Sequence, residues 1–134
     1  MVSFRIISEY SGKPDPGERV KIGNGPLYPL ERVRALANDP EHVRLLTRKI
    51  AKDIRNLGWS EIEVAELLTE LQSHQYIDSE WCTNGLGAWA ACDAYAVRRR
   101  ELVSPVNKEM NMEYFVKFAI GNTGALVLVV SCHV

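Results

Sequence analysis

The C-terminal part of the chain contains two β-prone runs on either side of a glycine-containing turn. The first run covers residues 112–120, the turn is Gly121-Asn122-Thr123-Gly124, and the second run covers residues 125–133. Glycine and asparagine tolerate the positive φ that tight turns require, so this pattern predicts a β-hairpin. The second run is apolar on both faces, which is typical of a strand covered on each side. We therefore expect the hairpin to lie in the middle of a sheet.

The register of this hairpin depends on where its turn is centred. If Gly121 and Gly124 lie opposite each other, Lys117 faces Leu128 and Tyr114 faces Ser131. Alternation then places one set of side chains on a common face: Tyr114, Val116, Phe118, Val127, Val129, Ser131 and His133. The pattern thus predicts that the Tyr114 phenol and the His133 imidazole meet at the open end of the ribbon.

Helical periodicity upstream predicts three helices. The first covers residues 29–37 and ends at Asn38-Asp39-Pro40. The second runs from about residue 40 to residue 57, and the third begins at Ser60, because Glu63 lies at capping-box spacing from it. The apolar stripes of the second and third helices are Val43, Leu46, Ile50 and Ile54, and Val64, Leu67, Leu68 and Leu71.

Turn residues and alternation predict the remaining segments. Residues 2–7 are β-prone, whereas residues 11–29 hold four prolines and four glycines, which predicts a mobile arm or linker without regular elements. Residues 73–87 are expected to be irregular, residues 89–98 alternate as a strand does, and residues 105–111 form a turn. These elements predict an α+β fold, with N-terminal helices packed on one face of an antiparallel sheet that ends in the C-terminal β-hairpin.

Length and composition are those of one soluble globular domain: 134 residues, 46% hydrophobic and 25% charged. No apolar run is long enough for a transmembrane helix and the first residues do not resemble a signal peptide, so we expect a cytoplasmic protein with no membrane partner. The three cysteines, Cys82, Cys92 and Cys132, show no Cys-x-x-Cys spacing. Their spacing indicates neither a disulfide framework nor a zinc site.

The formal net charge of −1 lacks the basic excess that often marks a nucleic-acid-binding protein. Positive charge is nevertheless concentrated locally, in the run Arg98-Arg99-Arg100 and in a second group: Arg44, Arg48, Lys49, Lys52 and Arg55. From composition alone, a solvated face is the simplest interpretation of either cluster.

Four motifs follow one another along the chain: Tyr28-Pro29-Leu30-Glu31-Arg32-Val33-Arg34-Ala35-Leu36; Leu57-Gly58-Trp59 with the helix at 63–71 and the loop at Tyr76; Trp89-Ala90-Ala91-Cys92-Asp93-Ala94-Tyr95; and Tyr114-Phe115-Val116-Lys117 with Leu128-Val129-Val130-Ser131-Cys132-His133. In this order and spacing they resemble the opening helix, the later helix and loop, the Trp-x-x-Asp-x-Tyr strand and the closing hairpin of the MqsR-type mRNA interferase toxins, which share the RelE-like fold. The resemblance covers roughly residues 28–134. It divides the chain into an N-terminal strand plus Gly/Pro-rich arm (1–27) and a RelE/MqsR-like domain (28–134).

The resemblance implies the toxin of a type II toxin-antitoxin system. Such a toxin is an endoribonuclease that cleaves single-stranded mRNA without a metal ion or other cofactor, and a cognate antitoxin protein holds it inactive. The implied reaction is attack by the 2′-hydroxyl of the RNA on the adjacent phosphate. This reaction needs a base, a cation near the phosphorane and an acid for the leaving 5′-oxygen.

Side chains of the required types are present in this sequence. His133 lies at a predicted strand end, and an ordinary histidine pKa of about 6.5 suits either proton role. Tyr114 shares its predicted face, and Lys117 or Arg98 can supply the positive charge. The resemblance to the MqsR-type interferases adds Tyr95, which corresponds to the tyrosine of their Trp-x-x-Asp-x-Tyr strand.

Aromatic residues in the predicted irregular loop, Tyr76 or Trp81, can stack on an RNA base. Asp93 is expected to orient an arginine or a strand end rather than to contact RNA. The hairpin tyrosine of the family corresponds to either Tyr114 or Phe115, depending on a one-residue shift that reverses the face.

Each candidate also has a purely structural interpretation. Tyr114 and Tyr95 can be core aromatics, Lys117 can extend from the sheet to water, and His133 can be an incidental tail residue. Two alternatives to a nuclease therefore remain. One is a RelE-like RNA- or protein-binding module without catalysis, and the other is an unrelated small α+β protein whose hairpin is simply part of its core.

Overall fold

The computed structural model describes residues 5–12, 20–103 and 107–134. Over these residues the chain is a mixed α+β protein with three α-helices and one sheet of seven strands. The helices are α1 (Leu30–Ala37), α2 (Arg48–Asn56) and α3 (Glu61–Thr69), and 3₁₀ turns cover Pro40–His42 and Ser73–Gln75. The strands are β1 (Arg5–Ile6), β2 (Lys21–Ile22), β3 (Val43–Leu45), β4 (Tyr76–Thr83), β5 (Ala88–Val103), β6 (Lys108–Ile120) and β7 (Val127–His133).

The strand order is β2-β4-β5-β6-β7-β3, and β1 pairs in addition with β5. The hairpin β6–β7 therefore lies between β5 and β3, which confirms its predicted central position. The prediction of a wholly antiparallel sheet was wrong, because β3 runs parallel to β7 and β1 runs parallel to β5. Parallel neighbours come from distant parts of the chain, so local alternation does not reveal them.

Two of the three predicted helices are confirmed, the first with its C-terminal end and the third with its start. Helix α1 ends at Ala37, and α3 begins at the N-cap Ser60 with both halves of the capping box formed. The Ser60 amide donates to a Glu63 carboxylate oxygen at 2.7 Å, and the amide of Ile62 donates to the Ser60 hydroxyl at 3.2 Å. These bonds satisfy donors that the first helical turn otherwise leaves unpaired. No helix within the described ranges is long and apolar enough to cross a membrane.

The second predicted helix is correct only in its C-terminal half. Instead of continuing from residue 40, the chain forms a 3₁₀ turn and then β3, and α2 starts only after the N-cap Thr47. Val43 fits the helical stripe of Ile50 and Ile54 equally well, but it pairs with Val127 of β7. A short apolar segment of this kind is ambiguous by periodicity alone.

The segment predicted to be irregular, residues 73–87, contains the eight-residue strand β4. The predicted arm at residues 11–29 contains β2, which pairs with β4, while residues 13–19 lie outside the described part of the chain. Of the predicted strand at residues 2–7, the described portion forms β1 at residues 5–6. The predicted turn at 105–111 includes the undescribed residues 104–106, and β6 already begins at Lys108.

The hydrophobic core lies on one side of the sheet, here called the helix face. Val33 of α1, Ile50 of α2 and Leu68 of α3 pack there with Tyr95 and Phe118 of the central strands, and all five are fully buried. The opposite side is called the open face. The pairings place the following side chains on it: Glu80, Cys82, Cys92, Ala94, Ala96, Arg98, Phe115, Lys117, Ser131 and His133.

Candidate functional site

A β-bulge in the hairpin decides which side chains can form a site. Phe118 pairs with Val129, but its neighbour Lys117 pairs with Ser131, so Val130 is an extra residue in β7. The extra residue reverses the alternation of the last part of β7. Cys132 therefore shares the helix face with the core, whereas Ser131 and His133 lie on the open face.

Tyr114 and His133 thus lie on opposite faces of the sheet, and the predicted meeting of phenol and imidazole was wrong. Tyr114 is 3% exposed, and its ring packs against Trp59 with centroids 4.8 Å apart. Its hydroxyl donates to Glu101 Oε2 at 2.5 Å. Burial, followed by this carboxylate, raises the pKa of Tyr114 to about 12. Tyr114 is therefore a structural residue of the helix face.

Tyr95 and Tyr76 also lie on the helix face. Tyr95 is fully buried and stacks on Phe118 with a centroid separation of 5.7 Å, and burial raises its pKa to about 12. Its hydroxyl has no hydrogen-bond partner among the described residues. The Tyr76 hydroxyl lies 2.6 Å from Ser79 Oγ. Neither ring can therefore reach a ligand on the open face.

Trp81 packs against Tyr10 of the N-terminal segment, with ring centroids 6.2 Å apart, and is 8% exposed. This burial removes it as a base-stacking candidate. Asp93 is fully buried, and none of its hydrogen bonds within the described residues is to an arginine. Its carboxylate instead accepts from the backbone amides of Leu27 and Tyr28, just before α1. Asp93 is therefore an anchor for the start of this helix.

A cleft of about 890 Å³ opens beside the bulge. One wall consists of residues 46–49, at the end of β3 and the start of α2. The other wall consists of residues 82–86, at the end of β4 and the following turn. Lys117, Val130 and Ser131 also line it. The bulge and the first turn of α2 together shape this cleft, so only long-range contacts create it.

Three cations line the cleft, and two of them carry uncompensated charge. Within the described residues, Arg48 and Lys49 form no ion pair. Lys117, in contrast, pairs with Glu80, which also pairs with Lys21 at 3.1 Å. Burial alone would lower the pKa of Lys117, but the Glu80 partner and nearby thiols raise it above its usual value. Lys117 therefore keeps its positive charge at neutral pH.

His133 lies on the same face, two residues beyond Ser131, which corresponds to about 7 Å along the strand. It is exposed, and its ring centroid lies 5.8 Å from that of Phe115, which is partly exposed. Arg98 is farther along the open face, where its guanidinium donates to Glu113 at 2.7 Å. Lys117 and His133 therefore share a face with the cleft, while Arg98 is neutralised at a distance from it.

Sequence reasoning missed Arg48, Lys49 and Phe115 as site residues. The basic run containing Arg48 and Lys49 was visible, but its position beside the bulge was not. Phe115 is identified by its pairing with His133, which places its ring on the open face. No helix packs against an aromatic ring on that face, so the ring stays partly exposed. Among the described residues, no three His, Cys, Asp or Glu side chains are grouped closely enough to hold a metal ion.

We expect the ion pair of Glu80 to make stability depend on pH. Burial by itself would raise the pKa of Glu80, but Lys117 and Lys21 outweigh it and hold the pKa below its usual 4.5. Because the folded-state pKa is the lower one, the stabilisation is present above pH 4.5 and disappears as the pH falls through the folded value. At pH 7, Glu80→Gln should lower the free energy of unfolding by about 1 kcal/mol.

Urea denaturation of both proteins between pH 3 and pH 7 measures this effect. The difference between wild type and Glu80→Gln should shrink toward zero at the acid end. The more exposed pair of Arg98 provides a control, in which Glu113→Gln should change stability less. A Glu80→Gln difference that is the same at every pH would contradict the assignment.

Arg48, Lys49, Lys117 and the Ser131 hydroxyl thus line the cleft. The exposed His133 imidazole and the partly exposed Phe115 ring lie beyond it on the same face of the sheet. In comparisons with known proteins, no family model matches this chain, and no curated protein matches it closely in sequence.

Proposed function

We propose that this protein binds single-stranded RNA in the open-face cleft and cleaves it without a metal ion. The observation that carries the proposal is the uncompensated charge of Arg48 and Lys49 at the wall of a cleft about 890 Å³ in volume. Arginine and lysine attract the phosphates of a nucleic acid, and a cleft of this size accommodates a nucleotide-sized group.

The neighbouring groups on the open face extend this binding mode. Phe115, beside His133, offers a ring on which a base can stack, as single-stranded binders require. A backbone held by Arg48 and Lys49 then runs along β7 toward His133. The low overall charge of the chain is compatible with this mode. Arg98, Arg99, Arg100 and Lys117 of the sheet are paired with acids, whereas Arg48 and Lys49 have no such partner in the part of the chain that the structure describes.

The reaction proposed is attack by the ribose 2′-hydroxyl on the adjacent phosphorus, with loss of the 5′-oxygen. The products are a 2′,3′-cyclic phosphate and a free 5′-hydroxyl. His133 takes or returns a proton, the role that an imidazole most often has in general acid–base catalysis. The charges of Lys117, Arg48 and Lys49 stabilise the phosphorane. The Tyr114 and Tyr95 phenols lie on the helix face and take no part in this reaction.

The biological role proposed is that of a RelE-like toxin of a type II toxin-antitoxin system, acting in the cytoplasm and neutralised by an antitoxin protein. This part rests on the four sequence motifs that resemble the MqsR-type mRNA interferases. The central hairpin and the helices on one face are compatible with such a fold. Co-expression with candidate short proteins from the same operon, scored by rescue of growth, tests the toxin role separately from the chemistry.

The nuclease proposal is tested by incubating the purified protein with labelled single-stranded RNA of mixed sequence in excess EDTA. Cleavage that leaves cyclic phosphate ends is expected. DNA of the same sequence should bind but remain intact, because it lacks the attacking hydroxyl. RNA that neither binds nor breaks would refute the proposal, and cleavage abolished by EDTA would refute the mechanism.

Neutralising the cations of α2 should weaken RNA binding. We expect Arg48→Gln combined with Lys49→Gln to raise the Kd about tenfold and to lower the slope of log K against log salt by about 1.4, at about 0.7 per lost phosphate contact. Fluorescence anisotropy over a salt series measures both quantities.

Arg98→Gln is the matched control for this double variant. The Arg98 side chain is 83% exposed and already paired with Glu113, so its removal should change the Kd less than about twofold. An Arg98 effect as large as that of the double variant would place the RNA elsewhere on the sheet.

The second candidate function is RNA binding without cleavage. Two observations favour it: Lys117 is neutralised by Glu80, and both predicted catalytic tyrosines are buried on the other face. Saturable RNA binding with no product after prolonged incubation would identify this alternative. The protein can also bind a protein partner instead of RNA, in which case neither RNA binding nor RNA cleavage is observed.

A further inference from the structure

Two cysteines meet beneath the cleft. In the β4–β5 ladder, Glu80 pairs with Cys92 and Cys82 pairs with Ala90, so the two thiols are diagonal neighbours on the open face. The Cys92 thiol donates a hydrogen bond to the backbone carbonyl of Ala90 at 3.5 Å. Cys82 is partly exposed and lines the cleft, whereas Cys92 is fully buried. The mechanism proposed above uses neither thiol.

The surroundings lower the pKa of the Cys82 thiol. The neighbouring Cys92 thiol lowers the pKa of Cys82 and outweighs burial. The charges of Lys117 and Lys21 lower it further, whereas the Glu80 carboxylate opposes them. Burial raises the pKa of Cys92, which therefore remains a neutral donor. A thiol with these neighbours is a better nucleophile at neutral pH than an ordinary cysteine.

We propose that Cys82 is a site of S-thiolation by an anionic low-molecular-weight disulfide that enters the cleft. The Cys82 thiolate attacks one sulfur of the disulfide and forms a new S–S bond with it. The original S–S bond breaks, and its electron pair leaves with the second half as a thiolate, which takes a proton from water. The disulfide is the only oxidant required.

The charge of the cleft sets the preference for an anionic reagent. Arg48 and Lys49 line the same cleft as Cys82 without acidic partners of their own among the described residues, so they attract carboxylates. The cleft volume of about 890 Å³ is sufficient for a tripeptide-sized adduct. A disulfide with Cys92 is disfavoured, because diagonal strand positions lie about 7–8 Å apart, beyond the usual span of that bond.

The consequence for RNA rests on the proposed function, whereas the thiol chemistry does not. An adduct on Cys82 occupies the cleft and brings extra carboxylates beside Arg48 and Lys49. RNA binding should therefore fall when Cys82 is modified and return when a reductant removes the adduct. The cleft then serves as both a binding site and a sensor of the thiol–disulfide balance.

Oxidised glutathione, which is anionic, and cystamine, which is cationic, are the two probes for the native protein. The initial rate of adduct formation with each disulfide is measured by intact-protein mass spectrometry. It is then divided by the rate at which the same disulfide reacts with N-acetylcysteine. At low salt, the normalised rate with oxidised glutathione should exceed that with cystamine about tenfold, and the ratio should approach one at high salt. Peptide mapping should place a single adduct on Cys82.

Three variants test the assignment. Cys82→Ser should form no adduct, Cys92→Ala should react several-fold more slowly at pH 7, and Arg48→Gln with Lys49→Gln should remove the preference for the anionic disulfide. In denaturant all three cysteines of the wild type should react, which shows that folding protects the others. Adducts on Cys132 in the native protein, or equal normalised rates for both disulfides, would overturn the proposal.

RNA binding of the modified protein separates the two proposals. Both proposals are supported if the glutathionylated wild type loses affinity for RNA while the Cys82→Ser variant, treated in the same way, keeps its affinity for RNA. If Cys82 is selectively modified but neither form of the protein binds RNA, the proposed function fails and the thiol site stands. If RNA binds but Cys82 does not react, the thiol site fails alone.

Discussion

Replacing His133 with alanine should slow RNA cleavage by about 10²–10⁴-fold, the usual contribution of a positioned general acid or base. His133 is the one imidazole of the described chain on the open face beside the cleft, two residues beyond Ser131. The loss should appear in the single-turnover rate with saturating protein, while the Kd for RNA changes little.

Two variants serve as controls for this result. His42→Ala removes an exposed histidine at a 3₁₀ turn, away from the cleft, and should leave the rate unchanged. Tyr114→Phe should also leave it within about twofold, because the phenol points into the helix face and binds Glu101. A large loss in Tyr114→Phe with a normal rate in His133→Ala would show that catalysis occurs on the other side of the sheet.

Replacing Asp93 with alanine should lower the free energy of unfolding by about 3–5 kcal/mol, the largest stability effect expected for a polar residue here. Asp93 is fully buried and satisfies three donors: the amides of Leu27 at 3.0 Å and Tyr28 at 3.1 Å, and the hydroxyl of Ser79 at 2.6 Å. Its removal leaves these donors without a partner and detaches the segment that leads into α1. Urea denaturation measures the change.

Asp78→Ala is the matched control, since Asp78 lies on the same sheet but pairs with Lys21 at the surface. It should cost less than about 1 kcal/mol. Asp93→Asn should fall between the two, because the amide can still accept one hydrogen bond but presents a donor to the others. An Asp93→Ala protein as stable as Asp78→Ala would mean that water replaces the carboxylate fully.

The elements predicted correctly are those whose cause lies within a few residues. The capping box of Ser60 and Glu63 and the stripe of α3 depend on contacts three or four positions apart, so the helix and its start are visible in the sequence. The end of α1 is likewise marked by Asn38-Asp39-Pro40. The hairpin was predicted because two β-rich runs flank a turn, and its central position because β7 is apolar on both faces.

The strand β4 was missed because its polar residues are satisfied by distant partners. Ser79 is buried on the helix face, where Asp93 accepts its hydrogen bond. On the open face, Glu80 pairs with Lys21 and Lys117, which are far away in sequence. When those distant partners are not considered, the local sequence of the segment is typical of an irregular polar loop. The ion pairs that stabilise the strand are thus invisible to any local pattern.

The candidate site was predicted in part, and the bulge explains the difference. Lys117 and His133 were identified from residue type but predicted on opposite faces of the hairpin, whereas both lie on the open face with the cleft. Tyr114 was assigned to the face of His133 by simple alternation, which one extra residue at Val130 reverses. Arg48 and Lys49 reach the site only because β3 pairs with β7 and directs the start of α2 toward it.

By itself, the sequence determined the α+β class, two helices with one end of each and a central hairpin, because short-range periodicity and capping specify these elements. Only the tertiary structure decided which face each strand-end residue occupies, which charges are neutralised and where a cleft opens. Bulges, parallel pairings and cross-strand ion pairs join residues that are far apart in the chain. Their energies depend on the assembled sheet and not on any local stretch of sequence.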